Sequence, residues 1–94
     1  MNGSPQYQED TLALEEVSED SLYTLWLLND DVHTFDYVID VLMDICEHTF
    51  EQAFQCAMIT HTNGKCDVYQ SSYKVILNKA RALRSMGLSV DITQ

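Results

Sequence analysis

Most of the chemistry legible in this chain sits in one short span. Asn29, Asp30 and Asp31 follow directly on an apolar run, His33 comes just after, and His61 lies well downstream. An amide oxygen, a carboxylate and a neutral imidazole nitrogen are all acceptors, whereas an ammonium group offers three donors and nothing else. Acceptors converging beside an apolar pocket suit a free α-amino group followed by a large side chain. The alternative is a metal- or His-assisted hydrolase using Asp30, Asp31 and His61. Against it, no Ser or Cys occupies a nucleophile elbow, no glycine-rich oxyanion loop is present, and no second histidine stands in metal-ligating register. Two plainer readings stay open here: a polar turn at Asn29-Asp30-Asp31, and a core histidine at position 61.

The elements that must hold these groups follow from periodicity. Ser21 to Asn29 reads as a strand, apolar and aromatic through Tyr23-Thr24-Leu25-Trp26-Leu27-Leu28, and three short polar residues stop it. Thr34 is a plausible cap for a first helix, with Asp36 in its first turn. Val38, Leu42 and Ile45, joined by Tyr37 and Val41, give its apolar face, while Asp36, Asp40, Asp44 and Glu47 lie opposite. Thr49 and Gln52 form a capping box for a second helix, Phe50 to about Thr62, whose expected buried stripe is Phe50, Ala53, Phe54, Ala57 and Met58. Gly64 ends it. Lys65 to Tyr69 reads as a strand, Tyr73 to Met86 as a third helix with Val75 or Ile76, Ala80 and Leu83 inward, and Leu88 to Ile92 as a last strand. The order β-α-α-β-α-β in so short a chain predicts an α+β sandwich, a three-stranded antiparallel sheet packed against three helices.

With 94 residues, 46 % of them hydrophobic, there is room for one domain with a modest core. Residues 1–20 are polar and acidic, with few aliphatics, and are expected to form a flexible tail ahead of a domain at 21–94. Fifteen acids against five bases give a formal net charge of -10, which argues against nucleic acid, since a phosphate backbone needs a Lys/Arg surface. All five bases lie between Lys65 and Arg84, while Met1 to Gln52 holds thirteen of the acids and no base. A partner of the first half is therefore expected to be cationic or to carry a positive end. Cys46, Cys56 and Cys66 form no CxxC pair and read as reduced, buried thiols. A metal set drawn from Cys46, His48, Cys56, His61 and Cys66 has no recognised ligand spacing. No span or signal pattern is legible, so a soluble, cytoplasmic, monomeric protein without cofactor or metal is expected.

Leu27-Leu28-Asn29-Asp30-Asp31, then Phe35-Asp36-Tyr37-Val38-Ile39-Asp40-Val41-Leu42, then His61-x-x-Gly64-Lys65, together resemble the ClpS family of adaptors for the Clp AAA+ proteases. The resemblance runs from about Leu25 to Leu88. It implies the same sandwich, no enzymatic activity, and binding of N-degron proteins that begin with Leu, Phe, Tyr or Trp for transfer to a ClpA-like or ClpC-like unfoldase. Carried over by position, it makes Asn29, Asp30 and His61 the ligands of the substrate α-amino group. Val38, Ala57, Thr60 and Leu88 then line the pocket, Phe35 takes a gatekeeping place where Met is common, and Asp31 and His33 form the rim. On the third helix, Ser72, Lys74, Val75 and Leu77 stand where the family carries Glu, Ala, Glu and Lys toward the unfoldase. A structural interaction domain of the same fold, lacking the pocket, is the remaining alternative.

Overall fold

The computed structural model describes residues 21–94; the tail expected at 1–20 lies outside them. Six elements follow in the expected order: β1 (Tyr23–Leu28), α1 (Phe35–Ile45), α2 (Phe50–Asn63), β2 (Lys65–Ser71), α3 (Tyr73–Ser85) and β3 (Val90–Thr93). The sheet order is β2-β1-β3, with β1 antiparallel to both neighbours. The most apolar strand is thus the central one. Leu25 and Leu27 point from it into the core, joined there by Val68 of β2 and Val90 of β3. The register with β2 slips between Leu25 and Trp26, a bulge that leaves Val68 without a direct partner. On the outer face Trp26 bonds Thr93 through its indole N–H at 2.8 Å and takes the Lys65 ammonium over its ring at 4.6 Å.

Helix boundaries follow from caps. Thr34 Oγ1 accepts from Tyr37 N–H, and the Thr49–Gln52 capping box is complete in both directions. Gly64 at φ +95° closes α2. The end of α3 is a Schellman motif: Gly87 N–H donates to Arg84 O, Leu88 N–H donates to Leu83 O, and Gly87 sits at φ +88°. Ser72 precedes α3 as its N-cap but makes no side-chain capping bond.

One expectation about the core is corrected. The face α2 buries is Ala53, Ala57 and Thr60, whereas Phe50, Phe54 and Met58 are exposed. Side-chain size decides this. Alanines at i and i+4 let the helix backbone approach its neighbours closely, and the larger side chains are left on the flank. Ile39, not assigned to the core from periodicity, is buried beside Val41 and Leu42, and in α3 the choice falls on Ile76, with Val75 exposed.

The thiols are reduced, with Cys46 and Cys66 buried and Cys56 half-buried. Burial, above all, pushes the Cys46 thiol up to about 11 and the Cys66 thiol up to about 12, the latter also through its hydrogen bond with Cys56. At pH 8 the thiolate fraction at Cys46 and Cys66 is on the order of 10⁻³ or less, against about one in four for a free thiol. Iodoacetamide labelling followed by mass spectrometry should therefore be at least about 100-fold slower in the native protein than in denaturant. Because folding raises these values, stability is full below the ordinary thiol range and falls as pH climbs from about 8.5 toward 11 to 12.

Candidate functional site

The site forms where the end of β1 meets the end of α2 and the link between α3 and β3. Leu28 N–H donates to Ser89 O and Asn29 N–H to Gly64 O, each at 2.9 Å. The end of β1 is thereby clamped between the last turn of α2 and the link from α3 to β3. Helix α1 then starts at Phe35, so Asn29 and Asp30 come to lie beside the C-terminal turn of α2, which carries His61.

A cleft of about 390 Å³, including its open mouth, fills this corner. It is lined by Leu27, Leu28, Asn29, Asp30, His33, Phe35, Val38, Ala57, Thr60 and His61. Leu27, Ala57 and Thr60 are buried and form its deep end, while Asn29 and His61 are exposed at its mouth. The Thr60 hydroxyl donates to Cys56 O at 2.7 Å, so its donor is satisfied within the helix.

Asp30 is held by its own turn. Its Oδ1 accepts from Val32 N–H at 2.9 Å and from His33 N–H at 3.0 Å, and His33 Nδ1 lies 3.3 Å from Oδ2. Partial burial pushes the carboxyl upward, but these bonds outweigh it and hold the group below the ordinary carboxylate range. The charge therefore persists through the neutral and mildly acidic range, where an α-amino group is an ammonium. His33 is itself wedged, stacked on Tyr37 with centroids 4.9 Å apart, and Tyr37 O–H donates to Met86 O at 2.6 Å.

Gly87 completes the wedge. A Cβ there would stand 2.9 Å from His33 Nε2, at a backbone angle that L-residues rarely adopt. Gly87→Ala is expected to cost about 1 to 2 kcal/mol from the left-handed backbone alone. Each kcal/mol lowers Tm by about 4 to 8 °C in a domain of this size, so a thermal melt is a direct check.

Eight of the sequence-derived site residues meet in the cleft: Asn29, Asp30, His33, Phe35, Val38, Ala57, Thr60 and His61. Asp31 is exposed and outside the lining, and Leu88 is a core residue that does not reach it. Leu27 and Leu28, strand residues that open the family-like motif, also line the cleft, and their place directly before Asn29 is the sequence signal for it. His61 is exposed, so it is not a core histidine. Among the described residues no three His, Cys, Asp or Glu side chains are grouped as metal ligands, and no helix is long and apolar enough to cross a membrane.

The family model of the ATP-dependent Clp protease adaptor protein ClpS matches residues 18–91. The chain belongs to the ClpS family. That makes it an adaptor of the Clp protease and not an enzyme, which sets aside the hydrolase reading. The chain is 38 % identical over 73 residues to the ATP-dependent Clp protease adapter protein ClpS of Campylobacter jejuni strain 81-176, covering 76 % of this chain and 74 % of that one. It is 31 % identical over 86 residues to the ClpS adapter of Nitratidesulfovibrio vulgaris strain DP4, covering 86 % and 83 %. Agrobacterium tumefaciens ClpS2, solved bound to L-phenylalaninamide, superposes with a TM-score of 0.70 at 25 % identity over 76 % of this chain and 93 % of that one.

Proposed function

We propose that this ClpS-family member recognises proteins with a bulky apolar N-terminal residue and hands them, as a monomer, to a Clp AAA+ unfoldase of ClpA-like or ClpC-like type. The observation that carries the reading is the cleft itself, where Asn29, Asp30 and His61, each able to accept, line an opening whose deep end is formed by Leu27, Ala57 and Thr60. The first side chain of the substrate enters past Phe35 and Val38 toward Ala57 and Thr60, and the ammonium meets the acceptors. The ligand bound by the Agrobacterium relative, a phenylalanine amide with a free amino group, has this same chemistry.

Burying one Leu or Phe side chain contributes about 1.5 to 3 kcal/mol, and each charge-assisted hydrogen bond about 1.5 to 3 kcal/mol before association costs. A net near 8 kcal/mol corresponds to about micromolar affinity. His61 accepts only in its neutral form. The Asp30 carboxylate, held below its ordinary range by its turn hydrogen bonds, keeps its charge through the neutral and mildly acidic range.

The test is fluorescence anisotropy with peptides that begin with Leu, Phe, Trp, Tyr or Ala and are otherwise identical. Preference for the four large residues over Ala supports the pocket; equal binding of all five, or of none, rejects it. The unfoldase type is decided by degradation of a Leu-first substrate in mixtures containing either a ClpA-like or a ClpC-like enzyme. On α3, Lys74 and Val75 are the exposed members of the altered set that faces this choice.

A further inference from the structure

The face of α2 that bears His61 continues past the cleft as an aromatic row. At about 100° per residue, Phe50, Phe54 and His61 fall within roughly 40° of one another around the helix. Phe35, part of the cleft lining, meets His61 edge-on at 5.8 Å and Phe54 at 6.4 Å, and Phe54 stacks on Phe50 at 6.1 Å. Phe50 is 57 % exposed, and Phe54 and Met58 are each 42 % exposed. Single exposed apolar residues are ordinary, but three in an i, i+4, i+8 row leading to an open pocket make a continuous surface. Their exposed area is roughly 300 Å² if each presents about 200 Å² in full. That is far below the ~800 Å² per partner of a stable protein interface, so a second copy of the chain is a poor occupant and a few peptide residues are a good one.

We propose that this row receives the substrate residues that follow the N-terminal one, giving the site a second, apolar specificity determinant. The inference rests on the cleft reading above. From His61 to Phe54 is seven residues and to Phe50 eleven, about 10 and 16 Å along a helix. An extended peptide advances about 3.3 Å per residue, so the row lies about three to five residues beyond the first. Proteins starting with a large residue and carrying another apolar side chain at about the fourth to sixth position are the preferred class. Those with a polar stretch there bind through the first residue alone.

The test uses C-terminally labelled peptides that begin with Phe and continue in Gly and Ser, with a single Leu moved from the second to the eighth position, against the native protein, Phe50→Ser and Phe54→Ser. Leu at the fourth to sixth position is expected to tighten binding about five- to tenfold in the native protein, by partial burial of one side chain. The gain disappears in Phe50→Ser, where the Gly/Ser peptide still binds. No gain at any position, or a gain that survives both substitutions, overturns the proposal while leaving the cleft reading intact. Failure of the Gly/Ser peptide to bind the native protein overturns both. If Phe54→Ser melts early, Phe50→Ser alone decides, since the Phe50 ring stacks on Phe54 and is the most exposed of the row. Sedimentation equilibrium showing a dimer that Phe50→Ser dissociates also overturns it, assigning the row to a second copy.

Discussion

Asp30→Ala is expected to weaken binding of a Phe-first peptide by about 100-fold or more while leaving the fold intact. Removing one partner of a desolvated, hydrogen-bonded charge pair costs about 2 to 5 kcal/mol, much of it from the stranded ammonium, and each 1.4 kcal/mol is tenfold in affinity. The substitution also frees the N–H groups of Val32 and His33. Val32 is exposed and water can serve it, so the stability loss should be small. Asp30→Asn separates the two roles. Its amide oxygen can keep the turn bonds while the charge is gone, so it should melt like the native protein and still lose at least about tenfold in affinity. Isothermal titration and thermal melts of both variants check this. Native-like affinity in Asp30→Asn would remove the charge from the account.

Leu42→Ala is expected to be among the most damaging of the simple truncations, at about 3 kcal/mol within the usual 2 to 5. Leu42 is fully buried, and its carbonyl accepts from both Cys46 N–H and His48 N–H at the end of α1. Its side chain seats the helix that carries Phe35 and Val38, so a cavity there loosens one wall of the cleft as well as the core. In a domain whose total stability is about 5 to 15 kcal/mol, the melt should fall by about 10 to 25 °C. Phe50→Ala, also a large truncation but on an exposed site, should shift stability by less than about 0.5 kcal/mol. Urea denaturation of the two variants compares them directly. Similar losses in both would mean the burial described for α2 is wrong.

The difference between these two leucine- and phenylalanine-bearing faces marks where the sequence was legible and where it was not. Caps and a closing glycine were readable because each has a local mechanism: Thr34, Thr49 with Gln52, and Gly64 all act within a turn of their own position. The sheet was readable because β1 is apolar on nearly every residue, as a central strand should be. The inward face of α2 was not, because periodicity ranks Phe50 and Phe54 above Ala53 and Thr60, whereas close packing selects for the small ones. Asn29, Asp30 and His61 were found from residue type and from the resemblance to the family. What no local signal gave was the wedge of His33 between Asp30, Tyr37 and Gly87, which depends on the α3–β3 turn arriving beside the end of β1. Leu88, assigned to the pocket by the resemblance to the family, is a core residue outside the cleft lining.

The central claim is that the cleft reads a free α-amino group. The measurement that meets it most directly is a titration of the native protein with one Phe-first peptide in two forms, free and N-acetylated. Acetylation removes the positive charge and two donors and leaves the side chain unchanged. Affinity near micromolar is expected for the free form and a loss of at least about 100-fold for the acetylated one. Equal binding of the two would contradict it, and would mean that Asn29, Asp30 and His61 ring an apolar pocket without reading the chain end.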